Sequence, residues 1–235
     1  MKNQAITIFE DIGTIDYKKA WDYQEKQFER IVKSKLFNRE HPDSVKEIVH
    51  HLIFCEHPHV YTLGKSGQAN NLLIQEEFLR KINAGFYKIN RGGDITYHGP
   101  GQIVGYPIFD LEQLDLGVKE YVFKVEASII ETLAKYGISG ERLDGSTGVW
   151  LETKTPRARK ICAIGVRASR YVTMHGFALN VNTMLEYFSY INPCGFIDKG
   201  VTSLEKELGR VVDVDEVKKL LQENLRDEFG LDFAP

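Results

Sequence analysis

The sequence predicts an α+β fold in which a mixed β-sheet is flanked by helices. Two stretches, at about 16–36 and 118–133, carry apolar residues at helical spacing, whereas the other apolar runs are short, as in strands. No internal repeat, low-complexity tract or linker divides the 235 residues. We therefore expect one domain over residues 1–235, with a small helical region from about residue 200.

The N-terminal half contains one long helix and several short elements. A stripe of side chains at helical spacing predicts the helix: Tyr17, Ala20, Trp21, Gln24, Phe28, Ile31 and Val32. Shorter patterns predict strands at 5–9, 47–55, 59–63, 86–90 and 102–109, and a helix at 75–83. Four glycines and a proline at 91–102 predict an irregular segment there.

The C-terminal half repeats this mixture of elements. A second long helix covers 118–133 and ends near Gly137. Strands are predicted at 148–151, 160–168 and 171–181, the last two joined by a turn at Ser169 and Arg170. Asp213 followed by Glu216 resembles a capping box and predicts the start of the last helix.

Composition bounds the possible functions. The formal net charge is −3, so there is no general case for nucleic acid or an acidic membrane surface. The first residues lack the apolar core of a signal peptide, and no apolar run approaches the ~18 residues of a spanning helix. The three cysteines form no C-x-x-C pair. We expect a cytoplasmic protein with reduced thiols.

The segment Arg91 to Gln102 (RGGDITYHGPGQ) is the densest candidate for a ligand site. Its glycines would let the backbone lie against a ligand, and its arginine and histidine supply charge and hydrogen bonds. It is not a dinucleotide loop, because Val104 stands where the third glycine of that motif belongs. From composition alone, a purely structural glycine loop remains an equal alternative.

The segment 154–170 carries six lysines and arginines and no acidic residue. Such a segment can bind an acidic protein or a phosphate, although a solvated face without a partner is the commoner case. Lys160 differs from the others because it begins the apolar run 161–166. A partly desolvated lysine at that point is a candidate charge partner for a thiolate.

Histidines and a cysteine crowd together at 50–59, which superficially resembles a metal site. Strand alternation places His50 and His51 on opposite faces, so we expect ordinary packed or exposed histidines and no metal. Cys55 and Cys162 lie in apolar strands and are interpreted as inert packed thiols.

Cys194 is the third cysteine and lies between Pro193 and Gly195, on a predicted turn. A thiol on a turn can meet a substrate, and an adjacent glycine lets a backbone N–H approach a reacting carbonyl. The residues alone leave open whether Cys194 is a nucleophile or a simple loop cysteine.

The order of the motifs resembles the octanoyltransferases of lipoate biosynthesis. The chain contains, in order, RGGDITYHGPGQ at 91–102, KICAIG at 160–165, HGFALN at 175–180 and NPCG at 192–195. The resemblance covers about 5–205 and implies the catalytic fold of biotin and lipoate protein ligases, a mixed sheet with flanking helices.

The resemblance also implies an activity. Octanoyl-acyl carrier protein would acylate Cys194, and a lysine of a lipoyl domain, in a 2-oxo acid dehydrogenase or the glycine cleavage H protein, would then take the acyl group. No cofactor is implied, since the octanoyl group is carried on the phosphopantetheine of acyl carrier protein. Lys160 matches the lysine that lowers the pKa of the nucleophile. The substrate-binding residues implied are Arg91, Gly92, Gly93, Asp94, Ile95, Thr96, Tyr97 and His98, then Ala163, Ile164 and Gly165, then Gly176, Phe177 and Ala178.

Two alternatives share this fold or this chemistry. An ATP-dependent lipoate or biotin ligase would activate a free acid and has no need of Cys194. An octanoyl amidotransferase would move the group between two lipoyl-domain proteins and would differ mainly in its donor. A third hypothesis from the same cysteine and glycine motifs is a non-enzymatic protein that binds or relays acyl groups.

Overall fold

A computed structural model describes residues 6–192 and 199–234 of the chain. Within these ranges nine strands form one sheet and three form a second. The strands are β1 Ile6–Thr14, β2 His50–Glu56, β3 Val60–Leu63, β4 Gly85–Lys88, β5 Ile95–His98, β6 Gln102–Ile108, β7 Glu141–Leu143, β8 Ser146–Leu151, β9 Arg159–Ser169, β10 Val172–Asn180, β11 Gly200–Val201 and β12 Asp232–Phe233. The helices are α1 Tyr17–Glu40, α2 Glu76–Lys81, α3 Leu111–Leu114, α4 Val118–Ala134, α5 Leu204–Leu208 and α6 Val214–Phe229, with 3₁₀ turns at Ala69–Asn71 and Leu185–Tyr190.

The large sheet is mixed. Its order is β12-β1-β2-β6-β10-β9-β8-β7, and β11 pairs with β9 outside that path. The β1–β12, β1–β2 and β11–β9 pairs are parallel and the other pairs are antiparallel. β6 and β10 are buried along their whole length, because both faces of the sheet are covered by other elements.

Helices cover the two faces of the large sheet. Helix α1 packs its apolar stripe on one face, with Ala20, Phe28 and Ile31 against Ile53 and Tyr106. The side chain of Asp16 caps this helix by accepting the N–H of Lys19 at 3.1 Å. Helices α4 and α6 cover the other face. The predicted mixed sheet with flanking helices is therefore observed.

The residues after 200 are part of this core. Leu221 and Leu225 of α6 are fully buried in the same apolar cluster as Ile129 and Leu133 of α4. Asp213 begins α6 by accepting the N–H groups of Asp215 and Glu216, as the sequence pattern predicts. β12 then adds an edge strand to the large sheet.

The small sheet corrects one prediction. Segment 91–101 was expected to lack regular structure, yet β5 (Ile95–His98) pairs antiparallel with β3, placing Thr96 opposite Thr62. The glycines lie on either side of these four residues and do not interrupt them. β4 completes the sheet by pairing parallel with β3. None of the described helices is both long and apolar enough to cross a membrane.

Candidate functional site

A cavity of about 1090 Å³ lies between the small sheet and one face of the large sheet. Nearly all the substrate-binding residues expected from the sequence line it, although they come from three distant parts of the chain. These are Arg91, Gly92, Gly93, Asp94, Ile95, Thr96, His98, Ala163, Ile164, Gly165, Gly176, Phe177 and Ala178, together with Lys160. The volume is slightly above the range of about 300–1,000 Å³ that is typical of binding sites for small organic ligands.

Tyr97 is the exception among the expected substrate-binding residues, because it does not line the cavity. It is fully buried in β5, stacks on Tyr187 and donates its hydroxyl hydrogen bond to His59 Nδ1 at 2.7 Å. Thr96 and His98 lie on the other face of β5 from Tyr97 and line the cavity. Ile95 shares the face of Tyr97 and also lines the cavity, whereas the Tyr97 ring packs among aromatic side chains. Tyr97 thereby holds the 3₁₀ turn Leu185–Tyr190 against the small sheet.

Arg91 is a buried wall of the cavity. Its Nη2 donates to the carbonyl oxygen and the hydroxyl of Thr62, at 2.7 and 3.0 Å, and its Nη1 donates to the carbonyl of Gly92 at 2.9 Å. Only 7% of the residue is exposed. These bonds fix the glycine segment on β3 and leave its backbone along the cavity.

Glycines let the two sheets approach each other closely. A Cβ on Gly165 would lie 3.0 Å from both Arg91 Cδ and the carbonyl oxygen of Gly92. The Gly92 N–H also donates to the carbonyl of Val166 at 2.9 Å. The glycine segment is thus bonded directly to β9, and any side chain at 165 would push it away.

A chain of hydrogen bonds crosses the cavity floor. His98 Nδ1–H donates to Gln102 Oε1 at 2.8 Å, Gln102 Nε2 donates to Asn180 Oδ1 at 2.8 Å, and Asn180 Nδ2 donates to the carbonyl of Thr202 at 2.9 Å. The N–H of Thr202 donates to the carbonyl of Lys160 at 2.9 Å. The side chains of His98, Gln102 and Asn180 therefore connect the glycine segment to the strand that carries Lys160.

Lys160 reaches the cavity from β9. Its ammonium group donates to the carbonyl of Thr147 at 3.3 Å and lies 4.6 Å from the centre of the Trp150 ring. The side chain is half-buried. A backbone carbonyl and an aromatic face thus position the ammonium group at the cavity wall.

Cys194 lies outside the described residues. Asn192 and Lys199, the nearest described residues on its two sides, both line the cavity. The chain after residue 199 forms β11, in which Val201 pairs with Lys160. Residues on both sides of 193–198 thus belong to the same site as Lys160.

The other two cysteines are packed in the core. Cys55 and Cys162 are fully buried and free of disulfides. Burial raises the pKa of both thiols far above the usual value, by desolvation of the thiolate. The burial confirms that both are packed thiols.

Several histidines are buried and neutral. Burial lowers the pKa of His50 and His57 to about 4, and that of His98 and His175 to about 3. His57 Nδ1–H donates to the carbonyl of Ile15, and Tyr106 donates its hydroxyl to Nε2. Within the described ranges, no three His, Cys, Asp or Glu side chains lie close enough together to hold a metal ion.

The cavity also contains residues that sequence reasoning did not single out. Tyr17 of α1, Tyr106 of β6 and His175 of β10 form part of its wall. His175 has a positive φ of 59° and donates from Nε2 to Asn90 Oδ1 at 2.8 Å. From its place in the apolar stripe of α1, Tyr17 was predicted to pack in the core. His175 was indicated only by the HGFALN motif, of which it is the first residue.

The basic segment 154–170 is partly neutralised within the fold. Arg157 and Arg159 both bind the carboxylate of Glu152, at 2.7 Å, and Arg159 also binds Glu207 at 2.6 Å. Arg167 lies 3.9 Å from Glu25. Although segment 154–170 contains no acidic residue, carboxylates from other parts of the chain lie beside its arginines in the structure.

Comparison with known proteins adds family relationships to this geometry. The family model for the lipoyl protein ligase A/B catalytic domain matches residues 16–226. The chain is 57% identical to an octanoyltransferase of Bacteroides fragilis over 219 residues, covering 93% of this chain and 96% of that protein. It is also 57% identical to an octanoyltransferase of Flavobacterium johnsoniae over 221 residues, covering 94% of this chain and 95% of the relative.

Solved structures share the fold at low sequence identity. A bipartite lipoate protein ligase from Thermoplasma acidophilum superposes with a TM-score of 0.62 at 15% identity, covering 100% of this chain and 86% of that chain. A lipoate-protein ligase A bound with ATP gives a TM-score of 0.64 at 14% identity, covering 98% of this chain and 87% of that chain. These likenesses agree with the expected ligase-type catalytic fold.

Proposed function

The chain belongs to the lipoyl protein ligase A/B catalytic domain family, and we propose that it transfers an octanoyl group from acyl carrier protein to a lysine of a lipoyl domain. The observation that carries this proposal is the convergence of Lys160 and three glycine-containing segments on one cavity. The high identity to octanoyltransferases favours this activity over that of the ATP-dependent ligases, which share the fold at much lower identity.

Cys194 is the proposed nucleophile. It follows Asn192, which lines the cavity, by two positions in the sequence, and two residues of chain span at most about 7 Å. The Cys194 thiolate attacks the carbonyl carbon of the octanoyl thioester, and the carbon–sulfur bond to phosphopantetheine breaks. The phosphopantetheine sulfur leaves as a thiol after it takes a proton.

Lys160 is the proposed source of that proton. Its ammonium group stabilises the thiolate before attack and can protonate the departing sulfur. In the second step a neutral lysine amine of the acceptor attacks the Cys194 thioester, an amide bond forms, and the carbon–sulfur bond to Cys194 breaks so that Cys194 leaves as the thiolate. Lys160 receives the proton that the amine loses, so the site returns to its starting state.

The apolar part of the cavity is the proposed slot for the octanoyl chain. Ile164, Phe177 and Ala178 supply apolar surface, and Gly165 and Gly176 bring backbone close to it. Burial is worth about 0.8 kcal/mol per CH₂, so seven carbons beyond the carbonyl contribute roughly 5 kcal/mol. A transfer from thioester to amide is downhill, so neither ATP nor another cofactor takes part in the proposed reaction.

Octanoyl transfer to an isolated lipoyl domain tests this proposal. The protein is incubated with octanoyl-acyl carrier protein and the lipoyl domain, and the acceptor is followed by intact mass. We expect one octanoyl group on the acceptor, without ATP. The same reaction is run with octanoate and MgATP, and with an octanoylated lipoyl-domain protein as donor. Modification only in one of those two reactions would replace the proposal with the ligase or the amidotransferase.

A further inference from the structure

A second groove of about 510 Å³ lies next to the cavity. It is formed by the chain at 183–185 on one side and by α5 with the turn that follows it on the other. Leu185 lines both the groove and the cavity. The groove therefore lies beside the cavity that Lys160 lines, with Leu185 between them.

The walls of this groove are held by specific hydrogen bonds. Asn182 Nδ2 donates to the carbonyl of Val212 at 2.8 Å, and the Val212 N–H donates back to Asn182 Oδ1 at 3.0 Å. Ser203 caps α5 by accepting the N–H of Lys206 at 3.2 Å. The Glu205 N–H donates to the carbonyl of Val181 at 2.9 Å. The groove is thus preformed, which lowers the entropic cost of filling it.

The groove is basic and partly apolar. Lys206 and Arg210 line it, are exposed, and form no ion pair among the described residues. Glu205 is the acidic residue of the lining, so the charge there is net positive. Glu207, which follows Lys206 in the sequence, binds Arg159. Arg157 and Arg159 differ from these two groove residues because both form ion pairs with carboxylates.

Apolar side chains border the same groove. Val211 lines it and is 69% exposed, and Met184, next to Leu185, is 47% exposed. A partner that covers this surface therefore presents both negative charge and apolar groups.

We propose that this groove holds the phosphopantetheine arm of the donor carrier protein, with Lys206 and Arg210 at its phosphodiester. The inference rests on the proposed octanoyl transfer and adds the path by which the donor enters. The thioester at one end of the arm must reach the cavity while the phosphodiester, at the other end, stays at the surface. The acceptor lysine side chain is short and reacts as a neutral amine. It would therefore neither fill a groove of this size nor gain from its positive charge.

Charge reversal tests the assignment. The double variant Lys206→Glu/Arg210→Glu should raise KM for octanoyl-acyl carrier protein about tenfold at low salt and leave kcat within about twofold. KM for the lipoyl domain should not change. The matched control is Lys154→Glu/Arg157→Glu, which changes the net charge equally on the other basic segment and should change KM less than twofold.

Simpler donors separate the arm from the protein that carries it. Octanoyl-coenzyme A carries a phosphate at the same end of its pantetheine arm, as part of a diphosphate, and should show the same direction of change. Octanoyl-pantetheine lacks this phosphate and should show none. An effect on the carrier protein without one on octanoyl-coenzyme A would overturn the arm assignment, as would an effect on KM for the lipoyl domain or an equal effect in the control variant.

The wild-type protein in the same assay tests the underlying function. No transfer from octanoyl-acyl carrier protein by the wild type would contradict the proposed function itself, whereas transfer by the wild type with unchanged KM in the Lys206→Glu/Arg210→Glu variant contradicts only the groove. If the charge-reversed variant is unfolded by circular dichroism, Lys206→Ala/Arg210→Ala replaces it, with an expected rise in KM of about threefold.

Discussion

Two contacts place the ammonium group of Lys160 at the cavity. The carbonyl of Thr147 accepts a hydrogen bond from its ammonium group, and the ring of Trp150 lies beneath it. The backbone of Lys160 is bonded to Thr202, which follows the segment that contains Cys194. The residue is therefore fixed both by its side chain and by the strand that returns from that segment.

Substitution of Lys160 should change the reactivity of Cys194. In Lys160→Met, loss of the ammonium removes the charge that favours the thiolate, so the midpoint of iodoacetamide alkylation of Cys194 should move up by about one pH unit or more. Mass spectrometry of the Cys194 peptide as a function of pH measures this midpoint. Lys154→Met, at an exposed position of the same segment, is the control. Identical alkylation profiles for both variants and the wild type would show that Lys160 does not act on Cys194.

Sequence motifs predicted many wall residues of the cavity but not all of them. The glycine segments were informative because backbone approach needs glycine, as at Gly165. Tyr97 was included because it stands inside the motif, and only the strand β5 decides that its ring points away from the cavity. Tyr17 and Tyr106 have no motif at all, since an aromatic residue in an apolar stripe looks the same whether it faces the core or a cavity.

At the scale of elements, the centre of the large sheet depends on close backbone contact between β6 and β10. A Cβ on Gly176 would lie 2.1 Å from the carbonyl oxygen of Gly105 and 2.7 Å from Pro107 Cδ. Both strands are buried along their length, so neither can move away without disturbing a packed layer.

Gly176→Ala should therefore destabilise the fold. We expect a loss of about 1–3 kcal/mol of unfolding free energy, because the added methyl group overpacks the centre of the sheet. Gly85→Ala is the matched control: it lies in edge strand β4, and its nearest contact would be 3.5 Å. Urea unfolding compares the two variants. Equal urea midpoints for the two variants would contradict the close packing of β6 against β10.

The long elements followed from the sequence because their periodicity is strong. Helices α1 and α4 and the strands β9 and β10 were predicted within a few residues of their observed ends. The short pieces were not, because β7, β11, β12 and α3 have two to four residues each and owe their form to tertiary pairing. β5 was missed for the opposite reason: glycines around Ile95–His98 concealed an alternating strand.

At the scale of the whole molecule, buried histidines link stability to pH. His50, His57, His98 and His175 have pKa values lowered by burial to about 3–4. They stay neutral in the folded protein, whereas the unfolded chain binds protons on them below about pH 6.5. Stability is therefore fully present above that pH and is lost as the pH falls from about 6.5 towards 4.

Urea unfolding at pH 7.5 and 5.5 measures this linkage. Each of the four histidines should cost about 1.4 kcal/mol at one pH unit below 6.5, so the unfolding free energy should fall by several kcal/mol. His50→Gln should remove about a quarter of this pH dependence of the unfolding free energy, because it removes one of the four buried histidines. His50 lies outside the cavity, so the substitution leaves the cavity lining unchanged. A free energy that is constant or rises between pH 7.5 and 5.5 would contradict the neutral burial of these side chains.

The fold places the basic groove beside the cavity that Lys160 lines, and Leu185 lines both. Sequence order gave no sign of the groove, because Lys206 and Arg210 lie in an unremarkable charged stretch. Two features of the structure single out these residues. Leu185 lines both the groove and the cavity, and ion pairs neutralise the arginine of segment 154–170 that would otherwise be the stronger candidate. Such relations depend on tertiary packing and cannot be obtained from local patterns.

In the proposed reaction, Cys194 carries the octanoyl group between donor and acceptor. Intact-mass spectrometry of the protein after incubation with octanoyl-acyl carrier protein, without acceptor, tests it most directly. We predict a single octanoyl adduct that maps to the Cys194 peptide, is removed by hydroxylamine, disappears when the lipoyl domain is added, and is absent in Cys194→Ala but present in Cys162→Ala. Continued transfer to the lipoyl domain by Cys194→Ala, or by a wild-type protein that never acquires the adduct, would contradict the account.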